Sequence, residues 1–367
     1  MSARPPAGVT APADASVWQR RIELPRYLRK VHGRDQLRRT LAEVLGQLGL
    51  SRPRLVSGST VTRELATELA DGLTGAPGRP LCVGDNSRAE VETLVAALAD
   101  ADVAVAVGGG RTIDVAKAAC ELAQLPVVVV PTQLTADGIA SPVSVIRAHS
   151  GEVESGRARL PIGVVVDLDF VARSAPERVR AGLGDLVANS CAIRDWRLAV
   201  AAGRDTVDDF AALLAQSASE LVYGTDVRSL GNGKPGPALL EHLLDGLVMS
   251  GIAMEIAGSS RPCSGSEHLV SHAIDRLYPG TAQHGEQVAF GTLVGTRLQG
   301  ADWRSLKAFL ACAGLAGAIA GFGLSVEQLA AAVRDAPSTR PGRYTVLDEA
   351  ALGERDLIAL LDEVLAG

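Results

Sequence analysis

Hydrophobic positions follow two rhythms along the chain. In the first half, short apolar runs at Arg54–Ser57, Pro80–Val83, Val103–Val107, Val127–Val130 and Ile162–Val166 read as strands. Between them, Val61–Leu73, Ser87–Leu98 and Thr112–Leu122 place apolar residues at helical spacing. Ahead of these, Ile22–Val31 alternates and contains Pro25, which suits an edge strand. Arg34–Leu48 follows as a helix, with Leu37, Leu41, Val44, Leu45 and Leu48 on one face. Short buried strands alternating with helices predict a parallel sheet covered on both sides.

After about Asp169 the strand runs vanish. Pro176–Arg197, Thr206–Tyr223, Pro237–Ala257, Ser266–Leu277, Gln287–Leu298, Trp303–Ala320, Ser325–Val333 and Glu354–Leu365 all carry helical patterns. Arg228–Pro237, rich in Gly and Pro, reads as a loop. The expected organisation is a disordered tail over residues 1–16, a dinucleotide-binding α/β domain over 17–170 with a Rossmann-like parallel sheet, and an all-α domain over 171–367. The tail is rich in Pro, Ala and Ser and lacks the apolar core of a signal peptide.

Composition narrows the function classes. The 367 residues are 47% hydrophobic and carry a net charge of −6, without a basic footprint for nucleic acid. No apolar run approaches the ~20 residues of a membrane helix. The five cysteines are scattered with no CxxC pair, which points away from a disulfide framework and toward a reducing, cytoplasmic setting.

The candidate chemistry lies in three places. VAVAVGGGRTIDVAKAA (Val103–Ala119) runs a strand through Gly108, Gly109 and Gly110 into a helix. Glycines let the backbone approach a pyrophosphate, and the helix start offers free N–H groups. Asp114 and Lys117 lie on the first turns; their ordinary reading is a solvated helix face. Asp85 ends the second strand of this series, where an acid can bind ribose hydroxyls and disfavour a 2′-phosphate; a plain turn is the alternative. PTQLTADGIASPVSVI (Pro131–Ile146) is a long polar stretch at the carboxyl end of a strand, where ligands bind in such sheets, and Asp137 is its only acid.

The third place is Ser259–Glu286, which holds three of the six histidines. His268 and His272 are four apart and share a helix face. His284 arrives just before another helical run. Converging imidazoles in a cytosolic chain suggest a transition metal, most often zinc. Cys263 lies in the same stretch and reads as a small buried hydrophobe.

VGGGRTIDVAK, PTQLTADGIAS, GLGDLVAN, SRPCSGSEHLVSHA and HGEQVAFGT occur in this order. Together they resemble the glycerol-1-phosphate dehydrogenases, a branch of the iron-containing alcohol dehydrogenase and dehydroquinate synthase-like superfamily. The resemblance implies metal ligands at Asp185, His268 and His284. It moves His272 from the metal to the substrate, beside Asp137, so the catalytic set would be Asp137, Asp185 and His272. It implies cofactor contacts at Asp85, Gly109, Gly110, Arg111, Thr112, Asp114, Thr132 and Ser141. The implied cofactors are NAD or NADP and a divalent metal, Zn²⁺ or otherwise Ni²⁺ or Fe²⁺.

The implied reaction is reduction of dihydroxyacetone phosphate to sn-glycerol 1-phosphate, and its reverse, in a homo-oligomer. Arg261 is a phosphate candidate by position alone. Alternatives are a related polyol or ketose dehydrogenase, such as a glycerol dehydrogenase or an enzyme of specialised metabolism, and a dehydroquinate synthase-like cyclase. A non-enzymatic nucleotide-binding protein is the reading from another class.

Overall fold

A computed structural model describes residues 22–75, 78–231, 233–350 and 352–366. The expected tail over residues 1–16 lies outside them. Six strands form one parallel sheet: β1 (Tyr27–Val31), β2 (Pro53–Ser57), β3 (Leu81–Cys82), β4 (Val103–Gly108), β5 (Val127–Pro131) and β8 (Gly163–Asp167). Their order is β1-β8-β5-β4-β2-β3, so β1 is an edge, as Pro25 suggested. Helices α1 (Arg34–Gln47), α2 (Val61–Asp71), α3 (Arg88–Ala97) and α4 (Gly110–Ala123) connect them.

The period-two geometry of the strands sorts their side chains between two cores. Val103, Val105 and Val107 face α1 and α2, together with Val128, Val130 and Val165. Ala104 and Ala106 face the other way with Val127, Val129, Val164 and Val166. This second core continues without a break into the helical half, through Leu183, Leu243, Val270 and Phe290.

From Leu168 onward every described element is helical. Short α5 (Leu168–Val171) precedes α6 (Pro176–Val187), α7 (Asn189–Ala201) and α8 (Asp209–Tyr223). Then come α9 (Arg228–Gly231), α10 (Pro237–Ala257), α11 (Ser266–Leu277), α12 (His284–Leu298) and α13 (Trp303–Cys312). The last are α14 (Leu315–Ala320), α15 (Val326–Asp335), α16 (Val346–Glu349) and α17 (Glu354–Leu365). Among the described residues no helix is long and apolar enough to cross a membrane.

Four local expectations need correction. Trp303–Ala320 is two helices, because Gly314 takes a left-handed conformation at φ 80°. Pro176–Arg197 breaks at Ala188, and its second part runs to Ala201. Part of the Arg228–Pro237 loop is α9. The end of Pro131–Ile146 is not loop but β6 (Val143–Arg147), paired antiparallel with β7 (Val153–Arg157). All of β7 is exposed, so no apolar alternation marks it in the sequence.

Candidate metal and nucleotide site

The three helices that build the site meet through glycines. A Cβ on Gly285 of α12 would overlap the carbonyl of Ala181 in α6, and one on Gly184 would overlap the carbonyl of Gly285. With no side chain at either position the two helices press backbone to backbone. That contact brings Asp185, one residue after Gly184, against His284, one residue before Gly285. On its other side α12 packs against α11, which carries His268 and His272.

Asp185 sits in the last turn of α6. A carboxylate there gains nothing from the helix dipole, which favours anions at the N-terminus. Its Oδ1 lies 3.4 Å from Nε2 of His268 and 3.7 Å from Nε2 of His284. One ligand atom from each residue falls within 4.8 Å of the others. For a tetrahedral ion with bonds of about 2.1 Å, ligand atoms stand about 3.4 Å apart, so the three fit one cation. The sequence had offered His272 with equal force. Its ring centroid stands 6.4 Å from both His268 and His284, against 5.2 Å between those two.

Hydrogen bonds behind the imidazoles fix which nitrogen faces the ligand cluster. Ser271 Oγ donates its one proton to Gln287 Oε1 at 2.8 Å, and the Gln287 amide donates to Asp275 Oδ1 at 2.8 Å. Ser271 therefore accepts from His284 Nδ1, 3.1 Å away. This leaves the Nε2 lone pair of His284 pointing at the cluster. His268 Nδ1 is likewise held, 3.0 Å from Glu267 Oε1. The remaining oxygen of Asp185, Oδ2, accepts from the backbone N–H of Asp137 at 2.9 Å.

These groups perturb one another. Burial alone would raise Asp185, but its bond to His268 and the imidazole charges hold it below the usual carboxylate range. Burial alone would lower His268, yet Asp185 and Glu267 push it up to about 10. Burial and the charge of His268 lower His284. Burial, then His268, His284, Arg340 and Arg343, drive His272 down to about 3, so it is a neutral imidazole. Burial and the charge of Asp185 raise Asp137 to about 8. Two histidines and a carboxylate thus face one point and could hold one cation, with His272 and Asp137 beside them. Cys263 takes no part: it is buried, and its thiol faces the carbonyl of Ser250 at 3.5 Å.

The nucleotide-binding candidates gather where β4 and β5 end. Gly109 caps α4 and no side chain closes that helix end. A Cβ on Gly110 would meet nothing within 4 Å, so the helix start faces open space. Thr132, just past β5, is 3% exposed and its hydroxyl has no partner among the described residues. Its N–H donates to the Gly108 carbonyl at 3.0 Å, which sets that orphaned hydroxyl beside the glycine turn. Thr112 is buried on the same turn, and Arg111 donates to the carbonyl of Gly84 at 3.4 Å.

Three other candidates sit differently. Asp114 and Ser141 turn inward to Lys117, which is fully buried and not on a solvated face. The Lys117 ammonium donates to the carbonyls of Gly138, Ser141 and Val143 and lies 3.5 Å from Asp114 Oδ1. It thereby pins the loop that carries Asp137. Asp85 is exposed at the end of β3, one strand beyond β2, and its carboxylate accepts from Ser87 N–H at 2.8 Å. The residue next to the glycine turn is instead Gly58, at the end of β2; a Cβ there would lie 3.6 Å from the Thr112 hydroxyl. The SGST turn after a strand was the available signal for it.

Residues 32–176 match the family model of the iron-containing alcohol dehydrogenases. The chain is 41% identical to a glycerol-1-phosphate dehydrogenase (NAD(P)+) of Cenarchaeum symbiosum over 71% of its own length and 72% of that protein's. It is 36% identical to the one from Hyperthermus butylicus, over 90% and 95%. Among solved structures it is similar to a probable glycerol dehydrogenase from Sinorhizobium meliloti, with a TM-score of 0.76 and 22% identity over 95% of this chain and 98% of that one. That last likeness concerns the fold. The motifs, the shared architecture and identity at this level over most of the length agree: the chain belongs to the glycerol-1-phosphate dehydrogenases, within the iron-containing alcohol dehydrogenase family.

Proposed function

We propose that this chain reduces dihydroxyacetone phosphate to sn-glycerol 1-phosphate with NAD(P)H, and catalyses the reverse oxidation. The observation that carries the reading is the ligand cluster of Asp185, His268 and His284, joined by one hydrogen bond to the loop that borders the glycine turn. A divalent metal held by these three residues supplies Lewis-acid polarisation of the carbonyl and charge stabilisation of the alkoxide, while the nicotinamide supplies the hydride. We take the ion to be Zn²⁺, whose preference for two imidazoles, a carboxylate and an open fourth position matches this donor set.

The chain's own residues do the rest. The start of α4 and the Thr132 hydroxyl bind the dinucleotide at the sheet's carboxyl edge. The hydrogen bond from the Asp137 N–H to Asp185 ties the loop after β5 to the candidate metal ligand. His272, kept neutral, orients the substrate through a hydrogen bond and adds no charge. Burial and the neighbouring Asp185 charge raise the Asp137 carboxyl, which places a substrate-binding carboxyl group beside the ligand cluster; a cation held there would draw it back toward the ionised form. We expect a homo-oligomer, and take residues 17–170 and 171–367 as the two functional halves.

The test is turnover by purified protein of dihydroxyacetone phosphate and of dihydroxyacetone, with NADH and with NADPH, followed by chiral analysis of the product. Net oxidation of the nicotinamide coupled to formation of sn-glycerol 1-phosphate is the expected result. Formation of the opposite enantiomer, or substrate conversion without net cofactor oxidation, would refute the reading.

A further inference from the structure

We propose that Arg340 and Arg343 form the subsite that holds the phosphate of the substrate, rather than Arg261, and that they set the preference for a phosphorylated ketose. This rests on the reading of the site as a phosphoketose reductase.

Three guanidinium groups crowd beside the metal-ligand helix. Arg343 is only 8% exposed. It donates to the carbonyl of Ser264 and, at 3.0 Å, to the hydroxyl of Ser260. Arg340 donates to the same Ser260 hydroxyl at 3.0 Å. Two cations therefore converge on one neutral oxygen. The third, Arg261, is committed: its Nε meets Asp205 at 2.6 Å and its Nη1 the carbonyl of Tyr344 at 2.8 Å.

Among the described residues no carboxylate lies within 4 Å of Arg340 or Arg343. A buried guanidinium without a counter-ion is costly. Two of them sharing a hydroxyl make a planar, many-donor surface suited to a dianionic oxyanion. The crowding is felt by Arg343: burial, then Arg340 and Arg261, bring it down to about 9, against the weaker pull of Glu267 and Asp205, neither of which pairs with it directly. A bound phosphate would supply the missing charge. Ser260, accepting from both arginines, keeps its own proton free to donate.

The location matches a substrate bound end to end. Ser260 and Ser264 lie on the segment that leads into α11, the helix of His268 and His272. The 3₁₀ turn Ala336–Thr339, immediately before Arg340, packs against that helix. Both arginine charges reach His272. A three-carbon ketose with its oxygens at the metal ligands and His272 would extend its phosphate toward this pair.

The experiment compares wild type with Arg340→Gln and Arg343→Lys. For each, kcat and KM are measured with dihydroxyacetone phosphate and dihydroxyacetone, inorganic phosphate is titrated as a competitive inhibitor, and bound zinc is assayed. The expected result is a wild-type preference for the phosphorylated ketose. Each variant should lose about 10–100-fold in kcat/KM for that substrate, mostly through KM, with weaker inhibition by phosphate and full zinc content. Arg343 is buried and its variant could fail to fold; the half-buried Arg340 variant and its inhibition constant then decide alone. Folded, zinc-replete variants that keep the wild-type preference and the wild-type inhibition would overturn the proposal. A wild type indifferent to the phosphate would instead refute the substrate reading on which it rests.

Discussion

Asp137 and Asp185 are joined by a hydrogen bond of 2.9 Å between a backbone N–H and a carboxylate oxygen. Asp137 belongs to the loop after β5, and Asp185 to the last turn of α6. The bond uses Oδ2 of Asp185 and so leaves Oδ1 to face both imidazoles. One carboxylate thus sets the relation between the nucleotide edge of the sheet and the candidate metal ligands in the helices.

That division of labour within one carboxylate makes Asp185→Asn a sharp test. An asparagine can keep its oxygen toward the Asp137 N–H only by turning its NH₂ toward His268 and His284. The variant should fold, since its shape is unchanged, yet bind zinc poorly. Activity should fall on the order of 10³-fold, the scale of several kcal/mol of Lewis-acid assistance. His284→Ala should do the same. Metal analysis after gel filtration, with circular dichroism for the fold, checks both.

Ser271 never touches the ion position, yet it fixes the tautomer of His284. Ser271→Ala leaves Nδ1 of His284 and Oε1 of Gln287 without their buried partner. Metal affinity should drop about 10–100-fold, as for other groups that orient ligands, while the apparent KM for substrate at saturating zinc stays close to that of wild type. Competition with a chromogenic chelator measures it. An unchanged affinity would show that the ring is oriented by packing alone.

Gly285→Ala probes the contact of α6 and α12. The added methyl group meets the Ala181 carbonyl, which is helix backbone and cannot rotate away. The helices must separate, costing about 1–3 kcal/mol and pulling His284 from Asp185. Loss of zinc binding should accompany the lower melting temperature. Gly110→Ala is the control: its methyl meets open space in the free protein, so the melting temperature should hold while cofactor affinity falls.

How much of this could be read from the chain varies with the physics. The sheet was legible because its strands are buried on both faces and so apolar throughout, as in Val127–Pro131. β7 was not, because all of it is exposed. The candidate ligands Asp185 and His268 lie 83 residues apart in sequence (268 − 185). Spacing on α11 offered His272 equally well, and only the family motif singled out the aspartate. Lys117 was misplaced on a solvated face because helical periodicity around it is weak: α4 is buried nearly all round. The arginine pair was invisible, since nothing local in STRPGR says which helix it packs against.

Lys117→Met follows from that burial. The ammonium holds three carbonyls of the 138–143 loop and faces Asp114, and removing it strips all four of their buried cation, leaving Val143 only the Ser141 hydroxyl and Asp114 only the Val145 N–H. Breaking a buried pair of this kind costs about 3–5 kcal/mol. Because the loop carries Asp137, catalytic efficiency should fall further than the loss of folded protein explains. Chemical denaturation, with kinetics normalised to the folded fraction, separates the two effects.

Glu267→Gln should raise stability while harming the site. Glu267 Oε1 accepts from the Gly265 N–H and steadies His268, but Oε2 is buried without a hydrogen-bond partner. A carboxylate oxygen of Asp195 lies within 4.8 Å of Glu267's. Burial first, then the charge of Glu267, push Asp195 up to about 6. Between pH ~4, the unfolded value, and pH 6, folded protein holds more protons than unfolded protein. Stability therefore falls as pH rises across that window and stays low above it. The penalty at neutral pH is on the order of 3 kcal/mol, about two pKa units at 1.36 each. A glutamine keeps Oε1 in place and lets its NH₂ donate toward Asp195, removing part of the penalty. In metal-free protein, the variant should be more stable than wild type at pH 7, by about 1–2 kcal/mol, and should lose less stability between pH 4 and 6. Its neutral amide supports the His268 N–H less well, so zinc affinity should fall about 10–100-fold. Urea melts of chelator-treated protein across pH, beside a zinc titration, test both halves. A variant less stable than wild type at pH 7 would overturn the idea that the buried charge of Glu267 beside Asp195 costs the fold stability.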